Sequence, residues 1–156
     1  MPNADKFEVV KLSELPETPK RGLAFLECAT RKDINAKVTF DGLKQKTRED
    51  VMNRFDYWLD EGICDKYFHG FPNHPVYHQC WVFKWKQAGA YHRLYGFLAN
   101  PRAITNKGFR ACILVSHAQK NTANTDPSEL AHAESLRLNI AVMTEVRKAF
   151  PERKQP

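Results

Sequence analysis

The chain lacks paired cysteines. Its four, Cys28, Cys64, Cys80 and Cys112, are scattered with no CxxC spacing, which excludes a disulfide scaffold and a conventional zinc ribbon. Three of them, Cys28, Cys80 and Cys112, lie inside apolar runs and read as buried thiols of a reducing compartment. There is no apolar run near the roughly 18 residues that a membrane-spanning helix needs. The opening MPNADKFEVV has neither a basic stretch nor an apolar one, so a secretory signal is not expected and the cytoplasm is the expected location. Internal repeats, low-complexity tracts and a second core are absent too. What remains is one domain of 156 residues, 42% hydrophobic and 27% charged. Net charge is +6 and the isoelectric point about 9.2, which permits a polyanionic partner without requiring one.

The densest signal is residues 78–97, HQCWVFKWKQAGAYHRLYGF. Strict alternation puts Trp81, Phe83 and Trp85 on one side of a strand, and Cys80, Val82, Lys84 and Lys86 on the other. If Gln87–Ala90 closes a hairpin onto Tyr91–Leu98, Lys86 faces Tyr91, Lys84 faces Arg93 and Val82 faces Tyr95. Opposed cations destabilise a ladder by up to about 1 kcal/mol. A face that keeps such a pair beside two tyrosines suits an anion, and a nucleic-acid phosphate is the leading candidate. The Trp81, Phe83, Trp85 stripe reads as core.

Around this hairpin the chain reads as follows. Residues 1–40 form a polar extension with a possible edge strand at Phe7–Leu12 and an apolar run, KRGLAFLECA, that is either strand or buried helix. Residues 30–42 read as a polar connection. A surface helix is expected from Leu43 to Glu61, with Val51, Phe55, Trp58 and Leu59 facing inward and Gly62 as its terminal glycine. Residues 63–79 read as a long loop, and Phe109–Ala118 as a third strand after a polar loop at 99–108. Asp126-Pro-Ser-Glu129 then opens one helix to Phe150, stopped by Pro151, with a frayed tail at 151–156.

The run YHRLYGFL and the later ACILVSHAQKNTANTDPSELAHA, in this order of elements, resemble the RelE/HigB superfamily of bacterial and phage toxins from toxin–antitoxin pairs. The resemblance spans residues 41–150. Its most specific parts are the strand led by Arg93 and the segment from Lys120 into a helix with Glu129, Leu130 and Ala133. Where that family often has an aromatic residue and two lysines, this chain has Ala118 and Lys120-Asn121. The resemblance implies an α+β fold: a small twisted antiparallel sheet, an N-terminal and a C-terminal helix packed on one face, and a basic groove for messenger RNA on the other.

It further implies a metal-independent, ribosome-dependent endoribonuclease, without a cofactor, restrained by a cognate antitoxin. In that chemistry the ribose 2′-hydroxyl attacks the adjacent phosphate, and the protein aligns the backbone, moves a proton and stabilises the phosphorane. Arg93 matches a phosphate clamp. Lys84 and Lys86 bind neighbouring phosphates, and one of them acts as base. Tyr91 or Tyr95 stacks a base, and Lys120 adds a cation. His117 is a candidate general acid, although unbroken alternation places it with Ala111, Ile113 and Val115 on the packed side, from which it reaches the groove only if the strand bulges or ends before it. His92 is expected on the packed side too.

Other readings stand beside this. The hairpin lysines also suit a solvated face, and Arg93 also suits a pairing with an acid from residues 1–40. A phage-derived relative that binds a host protein or nucleic acid without cleaving is the second functional reading. A metal site on His69, His74, His78 and Cys80 is the third, with a spacing that matches no zinc motif.

Overall fold

The computed structural model describes residues 4–120 and 126–153. Ten elements follow one another: β1 (Glu8–Lys11), β2 (Arg21–Glu27), α1 (Ala36–Asp41), α2 (Gln45–Leu59), β3 (Phe68–Gly70), β4 (Cys80–Gln87), β5 (Ala90–Ala99), β6 (Arg110–Lys120), α3 (Pro127–Arg137) and α4 (Ile140–Ala149). The strands form one sheet in the order β1-β2-β6-β5-β4-β3.

This sheet corrects the expected fold. It is six-stranded and mixed, because β2 runs parallel to β6 while the other neighbours are antiparallel. A parallel pair cannot be joined by a tight turn and needs a long crossover. Here everything from α1 to β5 lies between the two strands. Nor are the helices confined to one face. Val51, Phe55 and Trp58 of α2 and Phe40 of α1 pack with Phe25, Phe83, Trp85, Leu94 and Leu114. Leu130, Ala133 and Leu136 of α3 and Val142 and Val146 of α4 pack with Leu26, Val82, Tyr95, Phe97 and Ile113 on the opposite face. The open basic face implied by the RelE/HigB resemblance is therefore covered over its middle by α3 and α4.

Of the segment 1–40, residues 4–40 belong to this fold instead of extending from it. The five central residues of β2, 22–26, are all buried, as in an interior strand with both faces covered, and that explains why its sequence has no alternation. Phe7–Leu12 supplies the edge strand β1. The connection read at 30–42 contains α1.

The single helix expected from Asp126 to Phe150 is two. Asp126 caps α3 as expected, accepting from Ser128 N at 2.9 Å. Asn139 then starts α4, its Oδ1 accepting from Ala141 N at 2.9 Å and Val142 N at 3.2 Å. An Asn side chain inside an apolar periodicity is a capping signal, and here it breaks the helix. At the end of α2 the left-handed residue is Glu61 (φ 65°), not Gly62. The frayed-tail expectation also fails through residue 153, because Glu152 accepts from Ile104 N and Thr105 N, each at 3.0 Å. Residues 154–156 lie outside the described residues.

Candidate nucleic-acid interface

The β4–β5 hairpin is built as its alternation requires. Ala88 (φ 51°) and Gly89 (φ 80°) are the two left-handed residues of a two-residue turn whose twist matches the strands. The resulting register pairs Lys86 with Tyr91, Lys84 with Arg93 and Val82 with Tyr95. On the other face Trp85 pairs with His92. β3 pairs with β4 only from Phe83 to Trp81, and Lys84 N donates to Tyr67 O at 2.7 Å. Beyond that point β4 has an open edge.

A cleft of about 430 Å³ curls round this edge, lined by Arg54, Lys66, Tyr67, Lys84, Trp85, Lys86, Tyr91, His92 and Arg93. Five of these nine residues are cationic and none is acidic. Arg54 reaches in from α2, donates from Nε to Lys84 O at 2.9 Å and lies 4.2 Å over the Tyr67 ring. Lys86 lies 5.2 Å from the Tyr91 ring centre. Burial, and then the charge of Arg93, push the Lys84 ammonium below its ordinary value. Burial first, and the pairing with Arg93 second, thus make Lys84 a cation that gives up its proton more readily than a free lysine.

The residues singled out in the sequence do not all reach this cleft. Lys84, Lys86, Tyr91 and Arg93 line it, but Arg93 is only 3% exposed and turned into the protein, with Nη1 3.4 Å from Tyr95 Oη. Tyr95 is fully buried in the core beneath α3, so its ring cannot stack on a base. Lys120 stands opposite Tyr91 in the ladder and pairs with Asp126 at 3.3 Å. Residues 121–125, which carry the rest of the segment likened to the toxins, lie outside the described residues.

His117 stands where alternation did not put it. The β5–β6 register passes from Tyr95↔Ser116 to Gly96↔Leu114, so Val115 is an extra residue in β6. Asn35 fills the bulge: its N–H donates to Val115 O at 3.0 Å, and its Oδ1 accepts from His117 N at 2.9 Å. The extra residue moves His117 across the sheet to stand opposite Leu94. There it meets His92, with Nδ1 of His92 and Nε2 of His117 3.0 Å apart. Trp85, His92 and His117 form a compact three-ring cluster, with ring centres 5.2 Å apart for Trp85–His92 and for His92–His117 and 6.0 Å apart for Trp85–His117. Burial, reinforced by His92, pushes His117 down to about 4; burial lowers His92 as well. Both rings are therefore neutral at pH 7. The sequence singles out His117 but not Arg54, Lys66 or the meeting of His117 with His92. Periodicity placed Arg54 on a solvated helix face, and nothing local announces a bulge.

The histidine loop does not assemble as ligands. His74 Nδ1 accepts from Val76 N and Tyr77 N, closing its own turn. Cys80 is buried with its Sγ against Leu130 O. Among the described residues no three His, Cys, Asp or Glu side chains come together around a point that could hold a metal ion. No helix among them is long and apolar enough to cross a membrane. No family model, curated protein or solved structure matches this chain.

Proposed function

We propose that this protein binds single-stranded RNA at the hairpin cleft and cleaves it without a metal, as a toxin-like endoribonuclease acting on messages at the ribosome. The observation that carries the reading is the cleft's lining of four accessible cations, Arg54, Lys66, Lys84 and Lys86, with the part-exposed rings of Tyr67 and Tyr91 and no carboxylate. Cations along an edge draw the phosphate backbone, and half-exposed aromatic rings offer π-faces to unstacked bases. Lys84, with its lowered proton affinity, and the exposed ammoniums of Lys66 and Lys86 suit the charge that develops on a phosphorane. The likeness of the Arg93 and Lys120–Ala133 segments to RelE/HigB toxins points the same way, and implies a small antitoxin as partner. It does so without the sheet those toxins imply.

Induction of the protein in growing cells tests this. Expected are growth arrest and cut messages, both lost in Lys84→Ala/Lys86→Ala and in Arg54→Ala/Lys66→Ala. Normal growth with intact messages from folded protein overturns the reading.

A second reading, binding of a nucleic acid or host protein without cleavage, is favoured by the burial of Arg93, which withdraws the expected phosphate clamp from the surface. RNA binding by wild-type protein without any strand breaks would select it.

A further inference from the structure

The ring cluster Trp85, His92, His117 has no part in anion binding, yet it has the connectivity of a proton-handling unit. His92 lines the cleft. Its Nδ1 is engaged by His117 Nε2 at 3.0 Å. Its backbone is fixed in the ladder opposite Trp85, and its ring is held against the Trp85 indole at 13° between planes. His117 in turn is anchored through its own backbone N–H to Asn35 Oδ1, at the bulge that turned it to this face. A ring held on one nitrogen by a second, anchored ring has its other nitrogen fixed in direction, and when His92 Nδ1–H donates to His117 Nε2 the His92 Nε2 is left as the basic nitrogen. The same division of labour operates wherever a base is oriented by a third group.

We propose that His92 is the catalytic acid–base of the RNA cleavage and that His117 is its positioning residue; this rests on the ribonuclease reading above. Lysine 84 then serves the phosphate alone. In the step, Nε2 of neutral His92 removes the proton of a ribose 2′-hydroxyl as the 2′-oxygen attacks the adjacent phosphorus. The 2′-O–P bond forms and the P–O5′ bond breaks. The imidazolium then returns its proton to the departing 5′-oxygen. The products are a 2′,3′-cyclic phosphate and a 5′-hydroxyl, and no oxidant, metal or co-substrate is consumed. Proton transfer of this kind contributes about 10²–10⁴-fold in rate.

Burial favours a neutral resting imidazole at His92, and burial with the neighbouring His92 does so at His117. β4 brings Lys84 and Lys86, β5 brings Tyr91 and Arg93, α2 brings Arg54, and the preceding loop brings Lys66 and Tyr67. None is a carboxylate that would hold a proton on the ring. α1 contributes only the Asn35 amide at its start.

The test uses full-length protein, a translating extract and a defined message, with product ends mapped chemically. Wild type, His92→Gln, His117→Gln and Lys84→Ala/Lys86→Ala are compared, with RNA binding followed by anisotropy. His92→Gln is expected to lose about 100-fold or more in cleavage while binding RNA as wild type. His117→Gln is expected to keep binding, lose about tenfold in kcat, and move the ascending limb of the pH–rate profile. Cyclic phosphate ends complete the expected result. Cleavage by His92→Gln within about twofold of wild type overturns the histidine assignment. If the lysine pair still abolishes cleavage in that case, the ribonuclease reading stands by itself. A wild type that cuts nothing overturns both. Should His92→Gln not fold, the wild-type profile decides. A rate rising with pH through a midpoint below the ordinary 6.5 supports the pair, and a flat acid limb overturns it.

Discussion

Lys84 and Arg93 stand directly opposite each other across the β4–β5 ladder, two cations on one face of paired strands. The pairing separates their roles. Lys84 is partly exposed at the cleft, while Arg93 is buried beside Tyr95. Lys84→Ala is therefore expected to leave stability within about 1 kcal/mol of wild type, because a like-charge opposition is relieved as a contact is lost. RNA affinity should fall, with the salt dependence of binding reduced by about one phosphate contact. Arg93→Ala should instead cost about 2 kcal/mol or more, since it empties a buried site. Urea unfolding beside binding at several salt concentrations checks both.

The histidine pair makes stability depend on acid. His117 is held at about 4, below its ordinary 6.5, so the unfolded chain binds its proton first as pH falls. Its contribution is fully present above pH 6.5 and is lost progressively as pH drops toward 4. The unfolding temperature of wild type should fall through that window. In His117→Gln the fall should be shallower, with the residual slope owed to His92 and the carboxylates. Equal slopes in the two proteins would contradict the burial of this ring as the cause.

Gly96 is indispensable for a reason that sequence does not announce. A Cβ at this position would lie 2.1 Å from Ile113 O of the neighbouring strand, where only backbone could yield. It sits beside the Val115 bulge, where β5 and β6 draw close. Gly96→Ala is expected to cost about 3 kcal/mol or more and to give little folded protein. Circular dichroism and the recovery of soluble chain measure this.

The cap at Asn139 gives a milder case. Asn139→Ala removes the acceptor for two amide groups and should cost about 1 kcal/mol. Asn139→Asp, which keeps an acceptor at a helix start, should restore most of it. Thermal melts of the three proteins are enough to decide.

The sequence by itself determined what depends on near neighbours. The hairpin register follows from alternation across a left-handed two-residue turn. The inward stripe of α2 follows from helical spacing, and the Asp126 cap from Asp-Pro-Ser. The cations at the hairpin were legible for the same reason. Tertiary structure decided the rest. Whether β2 was strand or helix, and that it lies parallel to β6, depends on partners some ninety residues away, Arg21 meeting Arg110. That both sheet faces are covered depends on where α1 and α2 pass between those strands and where α3 and α4 return. That Tyr95 and Arg93 are buried follows from this covering, not from their place in an alternating strand. The meeting of His92 and His117 follows from one extra residue, Val115, whose freed carbonyl is satisfied by Asn35 from the far side of the chain. Periodicity reads which residues share a face; only long-range packing determines what lies against it.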